Sequence, residues 1–352
     1  MMVSALFTRV GQSSIICIPK LFSPTSSAKR NPNRPTLPSN FAPLRSYPIA
    51  GRRFSSVCFF NSGEKNKNNG NFDGEEGGLD WPILKRWDVP WQWQTASLTS
   101  LACGLSFVLT GLAETAAIPL LGIKIEELSL DEKAELLLLD QSITTAVILG
   151  VIYSIANTFQ PLPEDMFRYD LKEPFDLEKG WLLWAVIGLV AALLAIALTG
   201  VAMSTFNGEP PQREAILIVY ITWLQTDALV RLLPLIGSSS ISTACLVVIT
   251  GVLAPILEET VFRGFFMVSL TKWVPTPIAV LISAAVFAIA HLTPGEFPQL
   301  FVLGTALGFS YAQTRNLLTS ITIHACWNSG VILILTFLQL QGYDIKEILQ
   351  AT

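Results

Sequence analysis

Charge is scarce in this chain. Asp, Glu, Lys and Arg make up 14% of its 352 residues, against 51% hydrophobic residues and a mean hydropathy of +0.50. So little charge cannot cover the surface of an ordinary soluble domain of this length, which excludes that class. Period-2 alternation is absent from the long apolar runs, which excludes a membrane β-barrel. Cysteine is sparse: Cys17, Cys58, Cys103, Cys245 and Cys326 show no CxxC spacing. No disulfide framework follows from them, and the last three read as small apolar residues. HExxH is missing, so the usual helical zinc-peptidase signature is missing too. Acids are absent from Met1 to Gly63, a stretch with eight Lys or Arg and many Ser and Pro. Without those eight positive charges the formal net −4 becomes −12, and an acidic remainder gives no support to a nucleic-acid partner.

What is present is a series of apolar runs approaching the ~20 residues that span a bilayer as a helix. Backbone groups in lipid must be bonded internally, so these runs are helical. The expected fold is all-α: a polytopic transmembrane bundle of about seven or eight helices. Spans are expected near 97–121, 141–160, 180–203, 215–236, 241–270, 277–292, 297–314 and 317–340, the 297–314 segment being short and tilted or re-entrant. Lys124 to Asp140 is mixed-charge and reads as a short surface helix. Pro161 to Lys179 is a polar loop, and Asn207 to Pro211 is a tight turn.

The chain divides accordingly. Residues 1–60 have the basic, hydroxylated, acid-poor composition of a transit peptide, of the chloroplast type by its Ser and Pro content. Residues 61–95 are a polar linker followed by Trp81, Trp87, Trp91 and Trp93, read as an interfacial anchor. Residues 96–240 are N-terminal transmembrane helices, 241–340 a second transmembrane core, and 341–352 a polar tail. Lys85 and Arg86 precede the first span, and positive-inside reasoning leaves them in the stroma.

Ionisable residues inside such runs mark function. Glu258-Glu259-Thr260-Val261-Phe262-Arg263 follows a run, Ile241 to Leu257, that carries no charge. Both histidines of the chain lie in two further clusters, Phe287 to His291 and His324 to Asn328. Glu259 and Arg263 are one helical turn apart, Glu first, the favoured order for a structural ion pair. Glu258 is rotated by about 100° from Glu259 and need not share that pair, so it suits a general base. His291, at the end of its helix, is placed to hold the same water and shuttle a proton. His324 and Asn328, four apart, project from one face and fit an oxyanion site. Pro255 frees the carbonyl of Gly251 and kinks the helix just upstream.

Other readings stay open. A Glu-Arg pair and two His could hold helices in register. Two His and a Glu are also a zinc-peptidase ligand set, which would have to converge from three helices. Glu114 in the first span, and Asp227 with Arg231, read as interior or paired groups. Gly304 and Gly308 form a GxxxG that brings two helices close.

The motifs EExxxR, FxxxH and HxxxN, in that order on successive helices, resemble the CAAX-protease and bacteriocin-processing family of intramembrane glutamic endopeptidases. Each defining position is matched: Glu258, Glu259, Arg263, Phe287, His291, His324 and Asn328. The resemblance covers roughly the last third of the chain. It implies that Glu258 and His291 activate water and that His324 and Asn328 stabilise the tetrahedral intermediate, with no covalent nucleophile. A complete base-plus-oxyanion set without a recognised zinc spacing leads to the expectation of no metal or other cofactor. The expected partners are the lipid bilayer and a peptide or membrane-protein substrate, with no nucleic acid. The expected location is a chloroplast membrane, thylakoid or envelope. A second class of function also fits: a non-proteolytic scaffold that stabilises partner proteins in the plastid membrane, since the family includes members with such roles.

Overall fold

The computed structural model describes residues 84–206 and 234–342. The transit peptide, the linker as far as Trp81, the 207–211 turn, most of the 215–236 span with Asp227 and Arg231, and the tail from residue 343 lie outside the described residues. Among the described residues there are seven helices and no strand: α1 (Trp93–Leu120), α2 (Leu130–Asn157), α3 (Trp181–Phe206), α4 (Ser240–Leu270), α5 (Thr276–Ala290), α6 (Phe297–Thr314) and α7 (Leu317–Leu340). Five of them, α1, α2, α3, α4 and α7, are long and apolar enough to cross a membrane. The chain is a multi-pass helical membrane protein.

Local sequence sets the helix ends. Ser129 and Glu132 form a reciprocal capping box, with Glu132 Oε2 accepting from Ser129 N at 2.7 Å. The cap starts α2 at Leu130, so the charged stretch to Asp140 is the first part of a membrane helix. A separate surface element there is limited to the 3₁₀ turn Ile125–Glu127. α5 is only 15 residues, roughly 22 Å at 1.5 Å per residue, shorter than the ~30 Å of a hydrocarbon core. Beyond its end Leu292 is left-handed (φ 52°), and a 3₁₀ turn, Pro294–Glu296, leads into α6. Arg315, also left-handed (φ 50°), and the cap residue Asn316 join α6 to α7.

α4 is the central element, packing against α1, α2, α5, α6 and α7. At its N-terminus the Ser239 and Ser242 hydroxyls both donate to Asp131 of α2. α5 and α6 lie close because Gly304 and Gly308 lack side chains: a Cβ at Gly304 would stand 3.1 Å from Ala284 Cα, and one at Gly308 2.8 Å from Val280 Cγ1. Glu114 of α1 faces Asp140 of α2 rather than a cation. Outward faces carry apolar stripes at helical spacing, such as Leu98, Leu101, Leu105 and Leu112 on α1, as a lipid-facing surface does.

The loop between α2 and α3 is pinned to the bundle. Asn316 Nδ2 donates to Asp170 O at 2.6 Å, Leu317 N donates to Arg168 O at 2.9 Å, and the Tyr169 hydroxyl meets Thr260 Oγ1 at 3.0 Å. Arg168, hydrogen-bonded to Asp170, helps to hold that carboxyl below the usual aspartate range.

The expectation of four interfacial tryptophans is revised for the residues described. Trp87 and Trp91 are 3% and 1% exposed. Trp91 Nε1 donates to Ser269 Oγ at 2.9 Å, and Trp87 stacks on Tyr311 with centroids 5.5 Å apart. The Lys272 ammonium donates to the carbonyls of Val89 and Trp91. An indole has enough apolar area to anchor a segment in a protein core. Trp91 also finds a partner for its N–H, whereas Trp87 Nε1 has none among the described residues and its ring is held against Tyr311 and the Arg315 guanidinium, 4.2 Å from the ring centroid. Trp93 alone of the described three is exposed, edge-on to Trp273.

Candidate active site

Three helices bring the polar clusters together. α4 supplies Glu258, Glu259 and Arg263, α5 ends at Phe287 to His291, and α7 presents His324 and Asn328. α4 changes register twice around the carboxylates. Ile249–Leu253 and Thr260–Met267 are π-helical, and only Ala254–Glu259 between them is α-helical. Such turns accommodate one more residue than an α-turn and concentrate at functional sites. By helix rise Glu259 lies roughly 17 Å from the Leu270 end of α4, and His324 roughly 11 Å from the Leu317 end of α7. Both positions are inside the spans.

Arg263 and Glu259 are fully buried, and Arg263 Nη1 donates to Glu259 Oε1 at 2.8 Å. Arg263 Nη2 donates to the Gly304 carbonyl at 3.1 Å, and the guanidinium carbon lies 4.4 Å from the Phe287 ring centroid. Glu259 Oε1 has a second partner, His324 Nδ1, at 2.9 Å. Sequence spacing could not have found that contact, because helix periodicity relates residues within one helix and this bond crosses from α4 to α7.

Glu258 stands apart from the pair. Its Oε2 lies 3.9 Å from His291 Nε2 and 3.8 Å from His324 Nε2, close enough for electrostatic interaction and too far for direct hydrogen bonds. The Glu258 and His291 side chains are 12% and 16% exposed, so this corner is nearly enclosed but not sealed. Phe287 packs the group: its ring is 4.6 Å from His291, 5.8 Å from His324 and 5.3 Å from Phe262, centroid to centroid.

Hydrogen bonding fixes the imidazoles. The Phe287 carbonyl can only accept, so His291 Nδ1, 2.7 Å away, carries a proton. In the neutral ring Nε2 then faces Glu258 as an acceptor. Glu259, paired with Arg263, also accepts, so His324 Nδ1 is a donor; its Nε2 is an acceptor in the neutral ring and a donor in the imidazolium. Asn328, one turn beyond His324, donates from Nδ2 to the Thr250 carbonyl of α4 at 3.0 Å. The structure therefore brings Glu258, His291 and His324 together and ties Asn328 to the main chain about two turns before Glu258. Among the described residues, no three His, Cys, Asp or Glu groups are set to hold a metal ion.

Comparison with known proteins places the motifs. Residues 240–330 match the family model of type II CAAX prenyl endopeptidases, Rce1-like. The family resemblance drawn from the three motifs therefore has a family-model match over the same segment. The chain is 25% identical over 188 residues to the putative membrane peptidase YdiL of Bacillus subtilis, covering 53% of this chain and 66% of the relative. It is 23% identical over 173 residues to the membrane-embedded CAAX protease MroQ of Staphylococcus aureus, covering 47% and 61%. The chain thus spans just under two thirds of the length of these curated relatives. No solved structure matches it. The matched segment begins at the first residue of α4 and ends within α7, so it takes in every residue of the site.

Proposed function

We propose that the protein is an intramembrane endopeptidase that hydrolyses a peptide bond of a membrane substrate with a water activated by Glu258 and His291. The observation that supports this best is Glu258 Oε2, which stands 3.9 Å from His291 Nε2 and 3.8 Å from His324 Nε2. A gap of that length between a carboxylate and an imidazole invites a bridging water. A water at normal hydrogen-bond distance from both atoms subtends roughly a right angle at its oxygen, close to its own geometry.

Peptide hydrolysis then needs three things from these side chains. Glu258 takes the proton as the water attacks the scissile carbonyl, while His291, held by Phe287 O, keeps the water oriented. His324 presents its Nε2 to the developing oxyanion, where it donates when the ring carries both protons, and the second N–H of Asn328 adds another donor. Glu258 finally passes its proton to the departing amine. Oxyanion donors of this kind contribute about 2.7–4 kcal/mol each in soluble proteases. Glu259 and Arg263 act through position: their pair holds His324 Nδ1 and neutralises one carboxylate. The acid-free, Ser- and Pro-rich N-terminal stretch supports a chloroplast membrane as the location, with plastid membrane proteins as the substrate class.

The test is direct. Purified protein in detergent is incubated with a library of quenched-fluorophore apolar peptides, beside a Glu258→Gln version of equal melting temperature. Cleavage by the first and not the second is expected. Cleavage by neither, with both proteins folded and binding partners intact, would favour the scaffold function.

A further inference from the structure

We infer that Pro255 is a positioning residue for Asn328, a role that rests on the hydrolase reading above. The inference comes from main-chain accounting in α4. In the π-turn of residues 249–253, Ala254 N–H bonds back to Ile249 O, five residues earlier. In that register the next donor belongs to residue 255 and the next acceptor is Thr250 O. Residue 255 is proline, which has no N–H. The Thr250 carbonyl is therefore without the partner its register assigns, inside a membrane span where an unsatisfied carbonyl is costly. Asn328 Nδ2 fills the place from α7 at 3.0 Å.

That bond does more than satisfy a carbonyl. An Asn side chain has two faces, one acceptor and one donor, that could exchange by a flip. A carbonyl partner admits only the NH₂ side, so the Thr250 oxygen selects the orientation and leaves the second N–H pointing in a defined direction. Oxyanion stabilisation depends on donors fixed before the charge develops. The close approach this requires is permitted next door: a Cβ at Gly251 would lie 2.2 Å from Ser329 Oγ, so a larger residue would make that hydroxyl move. From the sequence alone, Pro255 frees the Gly251 carbonyl and kinks the helix; the π-register moves the effect to Thr250 and gives it a recipient.

Placing an N–H at residue 255 turns the carbonyl back into the ladder of α4, either in π-register or by closing the turn to α-register. Pro255→Ala and Pro255→Gly both do this, and they change helix propensity by different amounts, Ala being the best former and Gly among the poorest. The experiment measures kcat and KM of both variants, of Asn328→Ala and of the Pro255→Ala/Asn328→Ala double variant, on the best-cleaved peptide of the quenched library. Side-chain amide NMR of Asn328 in the same micelles follows its hydrogen bond independently of turnover. The expected result is a kcat about tenfold lower in both Pro255 variants with KM unchanged, a fall of ~10²-fold in Asn328→Ala, and no further fall in the double variant. The Asn328 amide protons should exchange faster in both Pro255 variants. Additive losses in the double variant, opposite effects of Ala and Gly, or unchanged Asn328 exchange would overturn the inference. A wild-type protein that cleaves nothing while its Asn328 exchange responds to Pro255 would sink the hydrolase reading and leave the positioning contact standing.

Discussion

Replacing Glu259 by Gln removes one negative charge and almost no volume from a site that is fully buried, where Oε1 accepts from Arg263 at 2.8 Å and from His324 at 2.9 Å. The amide oxygen of Gln can still accept, but Arg263 becomes a buried cation hydrogen-bonded to neutral oxygens alone, that amide and the Gly304 carbonyl at 3.1 Å. Breaking a buried pair from one side costs about 3–5 kcal/mol. At ~1.4 kcal/mol per tenfold, that lowers the folded-to-unfolded ratio by roughly two to three and a half decades. It is a large share of a typical stability of ~5–15 kcal/mol. Glu258→Gln is the matched control one residue away. Glu258 Oε2 makes no hydrogen bond with the protein, so its loss of charge breaks no short contact. Abundance, melting temperature and peptide cleavage measured side by side should show Glu259→Gln scarce and low-melting. Glu258→Gln should be normal in both respects and devoid of turnover. Equal stability losses, with cleavage tracking folded protein in each, would refute the reasoning and make both carboxylates structural.

Chelator-treated protein of measured metal content should retain its cleavage; stoichiometric zinc whose removal abolishes activity would establish a metallopeptidase. Gly304→Val should lower stability by ~1–3 kcal/mol in thermal unfolding, because a Cβ there meets Ala284 Cα at 3.1 Å and Arg263 Nη2 at 3.2 Å. Sequencing the N-terminus of the protein isolated from its native membrane should place it after residue 60 and before Trp81, whereas a peptide from the first thirty residues would exclude the proposed removal of that segment.

Among the described residues, helix number and type were legible in the sequence because long apolar runs without period-2 alternation fold as helices in a bilayer. The starts of α3 and α5 and both ends of α6 and α7 fall within a residue or so of the expected positions. The start of α2 did not, since hydropathy fades at Asp140 while the capping box, a matter of two side chains, sets the helix eleven residues earlier than the apolar run implies. Burial of Trp87 and Trp91 was not legible either. An indole looks the same to composition whether its apolar face meets lipid or Phe265, whose ring lies 5.4 Å from Trp91. At the site, the Glu259–Arg263 contact follows from a four-residue spacing, but His324 on Glu259 and Asn328 on Thr250 join helices that only packing brings together.

The two carboxylates differ in how much of their bonding capacity is already committed, and this supports Glu258 as the one proposed to activate water. A carboxylate kept only to hold helices in register does so through short bonds, as Glu259 does through Oε1, which takes one donor from α4 and another from α7 while Oε2 takes none among the described residues. Glu258 Oε2 holds nothing by that criterion, since its two imidazole neighbours stand 3.8 and 3.9 Å away. Burying a polar atom without a direct partner costs about 1–3 kcal/mol, and more when it is charged. Apolar residues surround the motif on every helix, so a leucine at 258 would have been the cheaper structural choice. A carboxylate held near two ring nitrogens, each turned by a bond on its far side, has its accepting capacity free for a molecule that must enter, react and leave. The tightly bonded neighbour makes that possible by keeping Arg263 and His324 in place.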